Sequence, residues 1–274
     1  MANKTADLCW PLIRPSTNQE LQLLVLGASD RHLNWQFSQS PPLVITQILQ
    51  DCLKTSDGGT LPESEIWQWD INFRTQALLA ITILTYGSHC SLSVRCPLEA
   101  CLEMMDIDLE LSQLYTPKQS SSFGFSFIPD VDTEIKLRLP TGEDQQRWLH
   151  QAVAEQTDLS QHMARDLVLS VNRSAPEKEW RLAEQWLDQI QNLLAQHDLF
   201  TEFTLQTQCP NCGHMFEAGF DVEEYLLNIL QDQWQQLLED IHYLAASYHW
   251  SEQEIFSVPI QRRQYYLKCI HGEM

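Results

Sequence analysis

Apolar residues recur every three or four positions in several long stretches of the chain, which is the spacing of an amphipathic helix. The clearest stretch runs from Val222 to Ser247, where Leu226, Leu230 and Trp234 begin a stripe that continues at the same spacing. The pattern predicts helices over residues 43–53, 72–87, 159–171, 177–196 and 222–247, with further helices that begin near Thr141, Ser251 and Pro259.

Residues that favour helix ends mark several of these boundaries. Asn72 is a suitable N-cap for the second helix, and Gly87 is a suitable residue just past its end. Thr141 and Ser251 each stand three positions before an acidic residue, which is the spacing of a capping box. The spacing predicts that each of the two begins a helix.

Other parts of the chain change to short segments in which apolar and polar residues alternate, as expected for half-buried strands. These segments are residues 90–94, 105–109, 123–127 and 135–139, and later 200–208 and 215–220. The last two segments are close enough in sequence to form a hairpin. Residues 117–122 form a stretch of only six residues, which predicts a loop inside the β-rich region and not a linker between domains.

The charge of the chain narrows the classes of partner. Among 274 residues there are 17 basic and 37 acidic side chains, which gives a formal net charge of −20. This balance argues against nucleic acid and anionic lipid as partners, because both require clustered cations. Residues 182–261 contain 13 acidic residues and no Lys or Arg. A solvated surface is the default interpretation of this stretch, and a surface that selects a basic protein partner is the alternative.

Two observations predict the compartment of the protein. Residues 1–10 lack the apolar segment of a signal peptide, and the longest apolar run, residues 77–84, is far shorter than the roughly 18 residues of a membrane span. We therefore expect a soluble, cytoplasmic protein without membrane insertion. In that reducing compartment the 8 cysteines favour free thiols or metal ligands over disulfides.

Two cysteine pairs supply the strongest chemical signal. Residues 209–213 have the sequence CPNCG, typical of a zinc knuckle in which backbone N–H groups face two thiolates and the glycine adopts a left-handed conformation. A structural zinc ion takes four ligands. Cys96 and Cys101 offer the second pair, again with proline after the first cysteine and again after a predicted strand. The sequence therefore predicts a zinc ribbon with Cys96, Cys101, Cys209 and Cys212 as the metal ligands.

Between the two pairs lie the 107 residues from Leu102 to Gln208. Closing such a loop costs on the order of 4 kcal/mol, whereas structural zinc sites supply about 10–16 kcal/mol at neutral pH. The metal can therefore offset the closure. Alternatively, Cys96 and Cys101 are ordinary buried thiols, and the other pair is redox-active or idle. His214 is an alternative ligand in place of one cysteine. The remaining cysteines are interpreted as core or incidental thiols: Cys9, Cys52, Cys90 and Cys269.

Two groups of charged residues have both a structural and a functional interpretation. Asp106, Asp108 and Glu110 share one face of a predicted strand, which favours a solvated edge over a cation site. Arg262 and Arg263 are expected to form a salt bridge with the acidic region, and contact with a partner is the alternative. The sequence contains no zinc-hydrolase, nucleophile-elbow, P-loop or dinucleotide-binding motif, and no deaminase signature in the required order. We therefore assign no catalytic residue.

Taken together, these patterns predict an α+β fold that is mostly helical, with a small antiparallel β zinc-ribbon module formed by two distant cysteine knuckles. We divide the chain into an N-terminal helical region, the first half of the ribbon module, a helical insertion, the second half of the ribbon and a C-terminal helical region. The corresponding ranges are 1–87, 88–140, 141–198, 199–221 and 222–274.

Several short motifs carry a family resemblance. They are IHYLAASYHWSEQEI at 241–255 with Pro259 and Arg262-Arg263 after it, CPNCGH at 209–214, LPTG at 139–142, and NFR at 72–74. Together these segments resemble the T-even-phage type baseplate hub assembly chaperone family, which is encoded with contractile tails and contractile injection systems. The resemblance spans roughly residues 21–272 and is densest in the C-terminal third. The chain departs from the family pattern in the first knuckle, where two extra residues separate Cys96 from Cys101.

The resemblance implies a non-enzymatic assembly chaperone or accessory protein for the baseplate hub of a contractile injection system. A hub or spike subunit would be its protein partner, and the predicted zinc would stabilise its fold. A structural component of the same baseplate is one alternative, and a zinc-dependent hydrolase or deaminase is another. The charge of −20 disfavours a zinc-ribbon adaptor for nucleic acid. The expected location is the cytoplasm, with transient or lasting association with a phage tail-like particle.

Overall fold

The computed structural model describes residues 11–115, 124–154, 159–176, 180–200 and 203–272, without the side chains of 152–154. Within these ranges the protein has nine α-helices and nine short strands, and the strands form four small antiparallel sheets. The mixed architecture confirms the predicted fold class. Cys9, the predicted loop at 117–122 and the start of the strand predicted at 123 lie outside the described residues.

A buried helix forms the centre of the largest hydrophobic core. Helix α3 (Ile71–Thr85) is buried on nearly every side, which explains why its sequence lacks a clear polar face. It packs against α1 (Pro41–Cys52), and α2 (Glu63–Gln68) packs on α1 in turn. Next to α1, strand β1 (Gln22–Leu23) pairs with β2 (Leu53–Lys54). Because Leu53 belongs to β2, α1 ends at Cys52, one residue before the end of the predicted helix.

The longest helix joins the first and last parts of the chain. Helix α7 (Val222–Tyr248) packs on α3 and α1, and Leu226 and Leu230 are wholly buried in the same core as Leu78. Helices α8 (Glu252–Ser257) and α9 (Ile260–His271) pack on α7 and form a smaller core with its C-terminal half. Within the described ranges, no helix combines the length and the apolar character needed to cross a membrane.

The capping residue of α3 differs from the prediction. Asp70 is the N-cap, since its carboxylate accepts a hydrogen bond of 3.0 Å from the backbone N–H of Phe73. Asn72 lies inside the helix instead, and its side chain bonds to the backbone of His197 and Leu199. The other end follows the prediction, because Gly87 has φ 116° just past the helix.

Both predicted capping boxes are confirmed. The Thr141 hydroxyl accepts the N–H of Asp144, and the Asp144 carboxylate accepts the N–H of Thr141, at the start of α4 (Gly142–Ala154). Ser251 and Glu254 form the same reciprocal pair at the start of α8.

A second hydrophobic core lies around a three-stranded sheet. Strands β5 (Phe125–Asp130), β6 (Thr133–Leu137) and β7 (Val168–Val171) pair in that order. Residues of α4, of α5 (Leu159–Asp166) and of α6 (Glu184–His197) pack into this core.

Two of the predicted helices are wrong in part within this second core. Residues 168–171 form strand β7 and not a continuation of α5, because Ser170 and Val171 pair with residues of β6. The helix predicted from residue 177 begins at Glu184, since Ala183 has an extended backbone and Leu182 before it packs into the core. Residues 177–179 lie outside the described part of the chain.

Two hairpins connect these cores to the cysteine pairs. The alternating pattern predicted the strands of both, and it predicted the pairing of the second hairpin. Strand β3 (His89–Arg95) pairs with β4 (Met104–Glu110), and β8 (Phe203–Gln208) pairs with β9 (Met215–Phe220). In each hairpin the last paired residues flank a short loop that carries two cysteines.

Candidate metal centre

The loops of the two hairpins bring the four predicted ligands together. Cys96 follows β3 and Cys101 precedes β4, while Cys209 follows β8 and Cys212 precedes β9. All four Sγ atoms lie within 4.8 Å of one another, although the two pairs are distant in sequence. The structure therefore supports the predicted module of two knuckles that face each other.

The sulfur separations fit a tetrahedral ion. The Sγ atoms of Cys96 and Cys212 are 3.7 Å apart, and so are those of Cys101 and Cys209. Four sulfurs bound at about 2.3 Å to one zinc ion lie about 3.8 Å apart in a tetrahedron. A disulfide would instead require a separation of about 2.05 Å. The four cysteines are therefore close enough to bind one metal ion, and their spacing is that of a thiolate site and not of two disulfides.

The second knuckle has the backbone geometry that its sequence predicts. The N–H of Gly213 donates to the carbonyl of Cys209 at 2.8 Å, and the N–H of Cys209 donates to the carbonyl of His214 at 2.9 Å. Gly213 has φ 73°, in the left-handed region that glycine adopts without strain. The backbone N–H of Cys212, followed by that of Asn211, lowers the pKa of Cys209 to about 7. The turn thus favours the thiolate that a metal requires.

The first knuckle accommodates its two extra residues in a turn between Leu98 and Leu102. The N–H groups of Cys101 and Leu102 both donate to the carbonyl of Leu98, at 2.8 and 3.0 Å, and the N–H of Cys96 donates to Glu103 at 2.9 Å. Leu102 has φ 52° and follows the second cysteine of its knuckle, as Gly213 does in the other. A leucine therefore holds the left-handed position that the second knuckle gives to glycine.

The four thiols differ in their exposure and surroundings. Cys96 and Cys209 are buried, Cys101 is partly buried and Cys212 is exposed. Burial raises the pKa of the Cys96 thiol to about 12 in the absence of a metal charge. Asn211 crosses between the knuckles, since its side-chain Nδ2 donates to Cys101 Sγ at 3.4 Å. Such a hydrogen bond stabilises a thiolate and orients it.

His214, the alternative ligand, does not belong to the cluster of donor atoms. Its side chain is exposed, and its ring stacks with Phe216 at a centroid distance of 6.2 Å. Its contribution to the knuckle is the backbone carbonyl that accepts the N–H of Cys209. The donor atoms that lie close enough to bind one metal ion are therefore the four cysteine sulfurs.

Of the cysteines interpreted as core or incidental thiols, three lie in the described chain. Cys52 and Cys90 are buried, and burial raises the pKa of each. Cys269 is partly buried in α9. The burial of Cys52 and Cys90 fits their interpretation as core thiols.

The acidic strand face has the structural role that was favoured. Asp106 and Asp108 are exposed on β4, and Asp106 accepts a hydrogen bond of 2.6 Å from Ser93 on the paired strand. Glu110 pairs with His89 at 2.7 Å and accepts a hydrogen bond from Ser112. The three carboxylates therefore bond to neighbouring side chains or face solvent.

The expected salt bridge of Arg262 and Arg263 is wrong. Arg263 is buried, donates to the carbonyl of Gly27 and lies over the ring of Phe256 at 4.9 Å. Arg262 donates to the hydroxyl of Tyr266 at 3.0 Å. Neither forms an ion pair with a residue in the described ranges, because backbone and aromatic partners have taken their place.

Sequence reasoning missed Asn211 and Leu102, whose roles depend on the knuckles facing each other and on local backbone conformation. It also missed a cavity between α7 and α9, since its walls come from opposite ends of the chain. The spacing of cysteine and proline identified the four cysteines that lie together, because that signal is local. No protein-family model matches the chain, and neither a curated protein nor a solved structure matches it.

Proposed function

We propose that the protein is a non-enzymatic assembly chaperone or accessory protein for the baseplate hub of a contractile injection system, stabilised by a structural zinc ion. The observation that carries the structural role is the convergence of four cysteine sulfurs within 4.8 Å. The hub assignment is supported by the sequence resemblance of the segments at 72–74, 139–142, 209–214 and 241–255.

The donor set favours zinc in a closed site. Soft thiolate ligands in tetrahedral arrangement suit zinc among the common divalent ions. Four protein ligands fill every position of a tetrahedral ion, whereas a catalytic zinc keeps one position for water or substrate. This difference favours a structural role over the alternative of a zinc-dependent hydrolase or deaminase. When bound, the metal would fix the two hairpins against each other.

Two segments that carry the resemblance meet in the structure. The N–H of Ile71 donates to the carbonyl of Pro140 at 2.9 Å, next to a bridge between Asp70 and Thr141. A side chain at Gly142 would collide with the guanidinium of Arg74, which is wholly buried. The motif residues thus join the first core to the second.

Co-purification tests the proposed partner. The full-length chain is expressed with the hub and spike subunits encoded beside it, and each complex is isolated through a tag on this chain. We expect one of these subunits to be retained, and we expect high salt to weaken the complex because the surface of this protein is acidic. Association with no tail or baseplate protein would refute the proposal.

Mass spectrometry of finished particles separates the chaperone from the structural component. A chaperone is present in assembly intermediates and absent from purified particles. A constant number of copies in every particle would instead favour the baseplate component.

A further inference from the structure

A cavity of about 130 Å³ lies between the second half of α7 and helix α9. Residues 25–27 and Thr85, at the end of α3, complete its wall. Two of its lining residues, Gln236 and Gln264, are exposed, so a ligand can enter from solvent. One buried water needs only about 10–15 Å³, and a cavity of about 150 Å³ in another protein binds benzene. This cavity therefore has room for a small organic molecule.

Two side chains of opposite charge line the cavity without pairing to each other. Arg263 on α9 is only 6% exposed, and Asp240 on α7 is half-buried. Each charge acts on the other group, but neither forms an ion pair with a residue in the described ranges. The wall thus offers a cationic group and an anionic group to one occupant.

The chain satisfies neither of these groups fully. Nη2 of Arg263 donates to the carbonyl of Gly27, while its Nε is buried and has no hydrogen-bond partner among the described residues. Asp240 Oδ1 accepts a hydrogen bond of 3.0 Å from Gln236 Nε2. Burial still raises the pKa of Asp240, although this hydrogen bond and the charge of Arg263 oppose the shift. An arginine that is nine-tenths buried and retains an unused donor points to an acceptor that enters the cavity.

The remaining wall is mostly aliphatic. Leu237, Ile241 and Leu244 on α7 and Leu267 on α9 contribute carbon surface to it. Ligand cavities typically combine such surface with a few polar groups that fix the orientation of the ligand. Water would satisfy the polar groups but would gain nothing from the aliphatic wall. The wall therefore matches a molecule that is charged at one end and aliphatic at the other.

A structural role accounts for only part of this arrangement. Arg263 joins α9 to the chain at Gly27, and its guanidinium lies over the ring of Phe256 at 4.9 Å. That role explains why the guanidinium is buried. It requires neither an open cavity beside the guanidinium nor a half-buried carboxylate, that of Asp240, in the same wall.

We propose that this cavity binds a free aliphatic α-amino acid of about the size of leucine. The carboxylate of the ligand pairs with Arg263, its ammonium group pairs with Asp240, and its side chain lies against Leu237 and Leu244. The ligand has no net charge, which suits a wall whose two charges balance. This inference goes beyond the proposed function and does not depend on it.

Calorimetric titration of the full-length, metal-loaded chain tests the ligand chemistry. The probe is L-leucine, and each of two comparison compounds lacks one of its charged groups. Isocaproate lacks the ammonium group, and isoamylamine lacks the carboxylate, but both keep the aliphatic chain. We expect each to bind at least about tenfold more weakly than leucine, because each leaves one desolvated charge of the protein without a partner. N-acetyl-leucine, which imitates the end of a peptide chain, should also bind more weakly, since it lacks the ammonium charge.

Matched variants locate the binding site on the protein. Asp240→Asn removes the partner of the ammonium group, and the control Glu239→Gln removes the same charge from an exposed neighbour that does not line the cavity. We expect Asp240→Asn to weaken leucine binding about tenfold without weakening isocaproate binding, because isocaproate has no ammonium group. The control should change the affinity for leucine by less than about twofold.

Each other outcome overturns the inference. No measurable binding of leucine would show that water alone fills the cavity. If isocaproate or isoamylamine bound as tightly as leucine, one of the two charges would not contact the ligand. Equal weakening by Asp240→Asn and Glu239→Gln would place the ligand elsewhere, and tighter binding of N-acetyl-leucine would assign the cavity to a chain terminus and not to a free amino acid.

Discussion

The left-handed backbone of Leu102 predicts a reversal of the usual stability order of alanine and glycine. Leu102 has φ 52° in the first knuckle, at the position where Gly213 has φ 73° in the second. The left-handed conformation costs an L-residue about 1–2 kcal/mol. At an ordinary position, in contrast, glycine is less favourable than alanine by about 0.5–1 kcal/mol because it loses more backbone entropy.

Comparison of Leu102→Gly with Leu102→Ala isolates this backbone effect. Both variants remove the leucine side chain beyond Cβ, and that side chain is 50% exposed, so its lost contacts cancel in the difference. Alanine bears the cost of the left-handed conformation, whereas glycine bears only its larger loss of backbone entropy. The difference between these two costs predicts that the free energy of unfolding is about 0.5–1 kcal/mol higher for Leu102→Gly than for Leu102→Ala. In a protein of this size that difference corresponds to about 1–4 °C in Tm.

Thermal and urea unfolding of the zinc-saturated variants measure the difference. Ala100→Gly is the matched control, because Ala100 is an exposed residue of the same loop with a negative φ, where glycine should lower stability. Gly213→Ala is the reciprocal change, since the nearest atom to an added Cβ is Gln208 Nε2 at 3.8 Å and no clash is introduced. It should lower the free energy of unfolding by about 0.5–1 kcal/mol. If Leu102→Ala were as stable as Leu102→Gly, the left-handed conformation of residue 102 would be wrong.

Two further substitutions probe the buried polar groups of α7 and α3. Because the pKa of Glu223 is raised from 4.5 to about 7, the folded chain holds a proton that the unfolded chain has lost, and stability falls as pH rises through this window. Between about pH 4.5 and 7.5 the free energy of unfolding should therefore fall by about 1–3 kcal/mol less in Glu223→Gln than in the unmodified chain. Urea titrations that show the same fall in both proteins would contradict this. Asn72→Ala removes the hydrogen bonds to the His197 carbonyl (2.8 Å) and from the Leu199 N–H (3.0 Å) and leaves both backbone groups without that partner. Its cost should be about 2–3 kcal/mol in chemical denaturation, and a cost below about 0.5 kcal/mol would mean that these bonds do not join α3 to the chain after α6.

The local parts of the fold were predictable from sequence because their signals are local. The hairpins that carry the cysteines follow from period-two alternation, and the capping boxes at Thr141 and Ser251 follow from two residues each. The segment 168–171 was not predictable in this way, because a short apolar run after a helix is compatible with either structure. The segment forms a strand because it pairs with β6, which lies more than thirty residues earlier in the chain.

The N-cap of α3 shows the same limit at the scale of single residues. Asp70 and Asn72 are both good N-cap residues, so composition alone does not choose between them. The structure uses Asp70 because Asn72 is needed two positions later to hold the backbone after α6. Long-range contacts thus decide which of two equivalent local signals is used.

In the candidate sites, too, the features with local sequence signals were predicted and the features built from distant segments were not. The four clustered cysteines were found because two close cysteines, the first followed by proline and preceded by a predicted strand, form a short-range motif. The cavity beside Arg263 was not found, because its wall comes from residues 25–27 and from α7 and α9, at opposite ends of the chain.

The metal content of the folded chain decides most directly whether the four cysteines form a structural zinc site. Elemental analysis of the protein purified under reducing conditions should give about one zinc per chain, and cobalt substitution should give the absorption spectrum of a tetrahedral tetrathiolate. Cys212→Ser should lose the metal, while Cys269→Ser, which alters a thiol outside the cluster, should retain it. A folded chain without stoichiometric metal, or a Cys212→Ser variant with unchanged zinc content and cobalt spectrum, would contradict the four-cysteine site.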